Sequence, residues 1–104
     1  MKIYLSGPMT GMPDENRPAF MRAARKLRDA GFTVTNPADL PEGWTWDEYM
    51  ARAMMDLAKC EGVALMPGSW HSKGARREIA LALLTEKHIA SVSDWCANET
   101  WAKE

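Results

Sequence analysis

The chain has 104 residues, of which 46% are hydrophobic and 26% are charged, and its formal net charge is −1. These values are typical of one globular domain, and we predict a single domain over residues 1–104. The near-neutral charge argues against a protein that holds duplex nucleic acid by its phosphates, and no apolar run approaches the ~20 residues of a membrane span.

The amino-terminal third of the chain predicts a strand, a loop and a helix. The β-type run KIYLS, residues 2–6, ends at a Gly-Pro pair. A stretch rich in Gly, Pro, Thr and Asp then continues as a loop to about residue 16. A helix is predicted from Arg17, with a proline in its first turn, to the stop signal at Gly31.

The middle of the chain predicts a second strand and a capped helix. FTVTN, residues 32–36, is the strand, and a proline closes it. After a loop, TWDE forms a capping box in which Thr45 precedes Glu48 by three residues. The helix behind this box carries an apolar side at helical spacing.

The remaining third predicts two strands and two helices. GVALMPG, residues 62–68, is the third strand, and a helix is expected over Gly74–Lys87. HIASVS, residues 88–93, is the fourth strand, and the tail over residues 94–104 predicts a short helix.

The elements alternate as βαβαβαβ with short connections. This order predicts an α/β protein with a parallel sheet and helices on both faces. Ligands of such sheets bind at the carboxyl ends of the strands, where the strand order reverses. Residues 6–17, 36–46 and 67–78 are therefore expected to converge on one crevice.

Glu78 is the acidic residue whose surroundings are hardest to explain. Its helical face carries Gly74, Leu81 and other small or apolar residues, so it has no salt-bridge partner on its own helix. One interpretation is a carboxylate that gains roughly 0.3–1 kcal/mol from the dipole at a helix amino terminus. The other is a nucleophile or a general acid or base in a partly desolvated crevice.

Tyr4 and Asp56 also allow two interpretations each. Tyr4 is either a packed aromatic or a hydroxyl that orients a catalytic carboxylate. Asp56 follows Arg52 by four residues, as in an exposed helical ion pair, but it also lies about one turn before the third strand and could face the crevice.

The run SGPMTG, residues 6–11, offers backbone amides and the hydroxyls of Ser6 and Thr10 at a strand end. It is either a nucleotide cradle or a plain tight turn. The patterns GxxxxGK[ST] and GxGxxG are absent, which disfavours a P-loop NTPase or an ordinary dinucleotide enzyme.

The histidines and cysteines show no ligand-like spacing. His71 and His88 are far from any second His or Cys that could share a metal, and Cys60 and Cys96 form no CxxC pair. We expect no metal, no cofactor, reduced thiols and a cytoplasmic protein. The short apolar start of the chain does not resemble a signal peptide.

Four stretches together resemble the nucleoside 2-deoxyribosyltransferase-like superfamily. They are IYLSGPMTG, FTVTNPADL, MMDLAKCEGVALMPG and SKGARREIALAL, and the resemblance covers roughly residues 2–93. The nearest branch is a small, largely uncharacterised family that is common in phages and prophages. The resemblance implies a flavodoxin-like three-layer sandwich with a four- to five-stranded parallel sheet.

The resemblance also implies roles for individual residues. The superfamily's nucleophilic glutamate lies in a Gly-x-x-x-Glu stretch that matches Gly74 and Glu78. Its orienting tyrosine matches Tyr4, and its helical aspartate, which contacts the sugar or the base, matches Asp56. The substrate-binding residues that we expect are Ser6, Gly7, Met9, Thr10, Ser72 and Gly74.

One departure bears on the substrate. In the transferases, an acidic residue six positions before the glutamate helps to protonate the leaving base, and here that position is Ser72. The monophosphate hydrolases carry a serine there that helps to hold the 5′-phosphate, which favours nucleotides over nucleosides. His71 is then a candidate acid for the leaving base.

The function that we expect is cleavage or transfer of the N-glycosidic bond of 2′-deoxynucleotides or 2′-deoxynucleosides through a glutamate nucleophile. Two alternatives stay open: a nucleotide-binding module without turnover, acting as sensor or sink, and a protein-interaction domain that uses a tryptophan-rich surface. The expected partners are the small-molecule substrate and further copies of the chain in a homo-oligomer, with neither duplex nucleic acid nor a membrane.

Overall fold

A four-stranded, all-parallel sheet forms the middle layer of the protein, which a computed structural model describes over residues 1–103. The strand order is β2-β1-β3-β4, so the order reverses between β1 and β3. The strands are β1 Lys2–Ser6, β2 Thr33–Thr35, β3 Gly62–Leu65 and β4 His88–Ser91. This α/β architecture agrees with the flavodoxin-like three-layer fold that the sequence predicts.

Helices cover both faces of the sheet. The helices are α1 Arg17–Asp29, α2 Trp46–Ala58, α3 Lys73–Leu84 and α4 Val92–Ala97. Helices α1 and α4 pack on one face, where Phe20, Leu27 and Trp95 are buried. Helices α2 and α3 pack on the other face, where Leu57 and Ala82 are buried. Over residues 1–103, no helix has the length and apolar character needed to cross a membrane.

The alternation along β1 divides its side chains between the two faces. Ile3 and Leu5 belong to the core under α1 and α4, while Tyr4 belongs to the core under α2 and α3. Because successive strand residues point to opposite faces, Ser6 shares the face of Tyr4. The two hydroxyl groups of this strand therefore lie on the side of α2 and α3.

The amino termini of two helices can be compared with the predicted boundaries: that of α2 is confirmed, and that of α3 is corrected. Thr45 caps α2 as predicted, since its hydroxyl accepts a hydrogen bond from the Glu48 N–H and the Glu48 carboxylate accepts one from the Thr45 N–H. The predicted start of α3 at Gly74 is wrong by one residue. Ser72 is its cap, because the Ser72 hydroxyl accepts the Ala75 N–H.

Three strands are shorter than predicted. The second is confined to residues 33–35, and β3 ends at Leu65, because the chain turns through Pro67 and Gly68 after it. The fourth ends at Ser91, whose hydroxyl accepts the Asp94 N–H and so starts α4. The short helix predicted in the tail is present, and it begins two residues earlier than expected.

Trp95 anchors α4 to the sheet. Its side chain is fully buried, and its indole N–H donates to the Val63 carbonyl oxygen at 3.0 Å. The ring lies so close to Gly62 that a Cβ there would approach it to 2.7 Å. Glycine at this position therefore allows the tryptophan to lie flat against β3.

Candidate functional site

Glu78 lies in the interior and is held by two hydroxyl groups. Only 6% of the residue is exposed. The Tyr4 hydroxyl donates to its Oε2 at 2.6 Å, and the Ser6 hydroxyl donates to its Oε1 at 2.6 Å. Hydrogen bonds this short are typical of hydroxyls that donate to a carboxylate. Each carboxylate oxygen thus has one donor and keeps a second lone pair.

The spacing of Tyr4 and Ser6 explains why both reach the same carboxyl group. They are two residues apart on β1, so they project from one face of the sheet toward α3. Both are buried, with Tyr4 1% and Ser6 0% exposed. The strand therefore fixes the position and orientation of the Glu78 carboxyl group through these two hydroxyl groups.

Burial controls the ionisation of this group. It raises the pKa of Glu78 to about 7, and the hydrogen bonds from Ser6 and Tyr4 work in the opposite direction. Burial, and then the Glu78 carboxylate, raise the pKa of Tyr4 well above its ordinary value. Tyr4 therefore stays protonated as a donor, while Glu78 exchanges its proton near neutral pH.

Glu78 opens onto a cavity of about 730 Å³ at the carboxyl edge of the sheet. This volume is within the range of small-molecule sites. All three segments that the topology places at this edge, within residues 6–17, 36–46 and 67–78, contribute to its lining. The lining includes Tyr4, Gly7, Met9, Thr10, Glu15, Trp46, Tyr49, Met50, His71, Ser72, Lys73, Gly74 and Glu78.

Five of the six expected substrate-binding residues lie in this lining. Gly7, Met9 and Thr10 follow β1, while Ser72 and Gly74 flank the start of α3. A Cβ at Gly7 would come within 2.9 Å of the Met66 side chain, so this turn requires a glycine. The loop after β1 and the amino terminus of α3 thus form two sides of the cavity.

Ser6, the sixth of the expected substrate-binding residues, lies outside the cavity lining. It is fully buried, its hydroxyl donates to Glu78, and it is not part of the lining. The structure thus gives Ser6 a contact with Glu78 rather than a place in the lining, because the pleat of β1 turns its side chain toward α3, and a direct substrate contact at Ser6 stays a prediction. The residue supports Glu78 instead.

Asp56 is also outside the lining. Its two carboxylate oxygens accept from the Arg52 Nε at 3.1 Å, which is the helical ion pair that its spacing allows. Helix α2 begins at the carboxyl edge with Trp46 and rises roughly 15 Å before it reaches Asp56. Each helix in this fold runs from the carboxyl edge of the sheet back to the amino edge, where the next strand begins. A residue one turn before a strand therefore lies toward the amino edge, which the sequence interpretation of Asp56 did not consider.

The position of Glu78 also bears on the helix-dipole interpretation. Ser72 caps α3 and Lys73 is its first residue, so Glu78 is the sixth helical residue and lies in the second turn. The dipole effect on a carboxylate fades within the first turn. The burial of Glu78 therefore has little support from the dipole.

Sequence reasoning missed part of the wall that α2 contributes. Trp46 ends the segment 36–46 that is expected at the crevice, whereas Tyr49 and Met50, which also line the cavity, lie beyond that segment. The Trp46 ring also has the Lys73 ammonium 4.9 Å and the Arg77 guanidinium 5.3 Å from its centroid. The capping box at Thr45 was the available signal, since it places the first turn of α2 at the carboxyl edge.

The loop between β1 and α1 has backbone angles that are uncommon for residues other than glycine. Asp14, Glu15 and Asn16 are consecutive residues with positive φ angles of 51°, 54° and 60°. Glu15 lines the cavity and lies 3.6 Å from the Arg17 guanidinium. Among residues 1–103, no group of three His, Cys, Asp or Glu side chains is arranged to hold a metal ion.

The comparison with protein families gives one match. The family described as Domain of unknown function (DUF4406) matches residues 1–91, and the chain belongs to this family. The match ends at the last residue of β4, so it includes the whole sheet and every cavity residue. A search of curated proteins finds no match.

Proposed function

We propose that this protein cleaves or transfers the N-glycosidic bond of a 2′-deoxynucleotide, or of a 2′-deoxynucleoside, with Glu78 as the nucleophile. The observation that carries the proposal is the buried Glu78 carboxylate, fixed by Tyr4 and Ser6 and open to a substrate-sized cavity. The resemblance of the chain to the nucleoside 2-deoxyribosyltransferase-like superfamily supports the same reaction.

The chemistry follows from the state of the carboxyl group. A carboxylate oxygen of Glu78 attacks the anomeric carbon as the bond to the base breaks, which gives a glycosyl-enzyme ester. Water or a second base then attacks the same carbon and releases Glu78. The two hydroxyl donors orient the carboxylate and leave a lone pair on each oxygen for the attack.

The amino terminus of α3 favours a phosphorylated substrate. The Ala75 and Arg76 N–H groups are used by Ser72, through its hydroxyl and its carbonyl oxygen. Lys73 and Gly74 precede them in the first turn and line the cavity. A helix amino terminus with free N–H groups attracts anions, and the Lys73 ammonium adds to the positive potential. A 5′-phosphate at this end would leave the sugar near Glu78.

Binding without turnover is the second candidate, and the position of Asp56 favours it. The superfamily's helical aspartate contacts the sugar or base, but here Asp56 pairs with Arg52 outside the cavity. With Ser72 in place of an acidic residue, only Glu15 and Glu78 are carboxylates of the lining. A protein with these features could hold a nucleotide without breaking it.

The test is release of free base from each 2′-deoxynucleoside and its 5′-monophosphate, measured by chromatography. Wild type should release base, whereas Glu78→Gln should bind the nucleotide and lose at least ~10²-fold in rate, because the amide cannot serve as the nucleophile. Glu86→Gln is the matched control, since Glu86 is exposed just after the far end of α3.

Three outcomes separate the candidates. Base released by wild type and Glu86→Gln, but not by Glu78→Gln, supports the glycosidase. Equal release by Glu78→Gln would contradict the role of Glu78. Binding of a nucleotide without release by any form would leave the binding module as the function.

A further inference from the structure

The proposed reaction requires a proton donor in addition to Glu78. When the bond between the anomeric carbon and the base breaks, its electron pair leaves on a base nitrogen, and protonation of the base makes this departure easier. The identity of this donor follows from the side chains of the cavity and rests on the proposed function. The polar side chains of the cavity are Tyr4, Thr10, Glu15, Tyr49, His71, Ser72, Lys73 and Glu78.

Most of these groups already have a partner. The Tyr4 hydroxyl donates to Glu78, and the Tyr49 hydroxyl donates to the Pro41 carbonyl oxygen. Glu15 pairs with the Arg17 guanidinium at 3.6 Å. These contacts hold the hydroxyl protons and the second carboxylate in place. They make these groups poor donors to a leaving base.

Two of the remaining groups, Ser72 and Lys73, also have contacts within the protein. The Ser72 hydroxyl accepts the Ala75 N–H as the helix cap, and the Lys73 ammonium lies over the Trp46 ring. A serine or threonine hydroxyl is also a weak acid. His71 is different, because its imidazole makes no hydrogen bond or ion pair with any residue between 1 and 103.

The loop that carries His71 is fixed relative to Glu78. His71 ends the short 3₁₀ helix Ser69–His71, which directly follows the turn after β3. The buried Ser69 hydroxyl is within hydrogen-bond distance of the Ser6 and Met66 carbonyl oxygens. Ser6 is the residue that donates to Glu78. The loop that carries His71 and the Glu78 carboxylate are therefore linked by one connected set of hydrogen bonds beside the same cavity.

We propose that His71 is the catalytic residue that donates the proton to the departing base. In the first step the Glu78 oxygen bonds to the anomeric carbon, the carbon–nitrogen bond breaks, and the imidazolium proton moves to the base nitrogen. In the second step water attacks the anomeric carbon, the neutral imidazole takes a proton from that water, and Glu78 leaves as a carboxylate. The imidazolium is then restored.

The experiment compares two substrates that differ in their need for a proton. The base of dGMP leaves with a proton supplied, whereas the base of 7-methyl-dGMP carries a positive charge and leaves as a neutral molecule without one. His71→Asn should lower kcat for dGMP by about 10²–10⁴-fold. It should change kcat for 7-methyl-dGMP by no more than a few-fold.

His88→Asn is the control for replacement of a histidine. His88 starts β4 at the opposite edge of the sheet, with its ring centroid 4.4 Å from that of Trp95. It should leave kcat for both substrates near the wild-type values. Thermal melting of all variants, with His71→Gln as a second replacement, shows whether each is folded.

The outcomes separate this inference from the proposed function. A loss for dGMP alone, in both His71 variants, supports proton donation. An equal loss for both substrates, no loss for either, or a wild type that cleaves only 7-methyl-dGMP would overturn it while Glu78-dependent cleavage remains. Wild type that releases no base from any 2′-deoxynucleoside or 5′-monophosphate in a Glu78-dependent way would instead overturn the proposed function.

Discussion

Among residues 1–103, no cationic side chain forms an ion pair with the buried carboxyl group of Glu78. An ionised carboxylate in such a place loses its hydration, and two hydroxyl donors compensate for only part of this loss. The pKa of about 7 results from the loss of hydration, which raises it, and the two hydrogen bonds, which lower it. Near neutral pH both protonation states of this carboxyl group are therefore populated.

The raised pKa makes the free energy of unfolding depend on pH. The ordinary value is 4.5 and the folded value is about 7. The folded state therefore holds this proton more tightly between these values, and stability falls as pH rises through the interval. The expected loss from Glu78 between pH 5 and pH 8 is about 2.5 kcal/mol. Chemical denaturation at pH 5 and pH 8 measures it.

Glu78→Gln isolates this contribution from those of other titrating groups. Its side chain keeps the shape and cannot ionise, so its advantage over wild type should grow between pH 5 and pH 8. Glu86→Gln should follow wild type at both pH values. A difference between Glu78→Gln and wild type that stays constant with pH would contradict the raised pKa.

At the scale of residues, the sequence identified the carboxylate but not all of its supports. Glu78 was recognisable because its helical face has no basic partner. Tyr4 was expected to orient it, whereas Ser6 was assigned to the substrate, although its separation of two residues from Tyr4 placed both hydroxyls on one face of β1. The strand period was therefore a usable signal for Ser6.

At the scale of elements, the capping box at the start of α2 positions one wall of the cavity. Thr45→Ala removes a cap and should lower the free energy of unfolding by about 1 kcal/mol. It should also weaken nucleotide binding, because Trp46 and Met50 lie in the turns that the cap fixes. Denaturation and a binding titration on the same samples measure both effects.

Ser91→Ala is the matched control for this prediction. Ser91 caps α4 through the Asp94 N–H, and α4 contributes no residue to the cavity lining. Its loss of stability should be similar, while binding should not change. If both variants weaken binding equally, the effect reflects general destabilisation and the role assigned to the α2 cap is wrong.

The element order was predictable, but several boundaries were not. Apolar Met66 and Val92 continue the patterns of β3 and β4, so the sequence extended both strands too far. The competing signal in the second case was Ser91 followed three residues later by Asp94, which starts a helix. Asp56 lies outside the lining for a geometric reason, since α2 runs back from the carboxyl edge before it reaches this residue, and its expected role stays a prediction.

At the scale of the whole molecule, the segment after β4 completes the core. The family match ends at residue 91, yet Trp95 is fully buried among residues from α1 and the sheet. Trp95→Ala should lower the free energy of unfolding by about 3–5 kcal/mol, through lost burial and the cavity left behind. Denaturation curves measure this loss.

Trp70→Ala is the control for the loss of a tryptophan. Trp70 is 61% exposed, so its removal should change the free energy of unfolding by no more than about 0.5 kcal/mol. Equal effects of the two substitutions would contradict the packing of α4 on the sheet.

The five tryptophans serve several parts of the molecule. Trp95 and Trp101 pack together with His88, Trp44 packs with Tyr49, and Trp46 faces the cavity. Trp70, the fifth, is 61% exposed, and the protein-interaction hypothesis stays open. The homo-oligomer stays a prediction, which a measurement of mass in solution would check.

The buried group of Tyr4, Ser6 and Glu78 has a consequence for how this sequence responds to selection. A carboxyl group without a cation in the interior is a weak point of the fold at neutral pH, and an apolar or amide side chain would relieve it. A library of variants screened only for survival at high temperature should therefore accumulate changes at position 78. The same screen would discard the group that we propose as the nucleophile, so retention of Glu78 in a lineage would indicate selection for its chemistry.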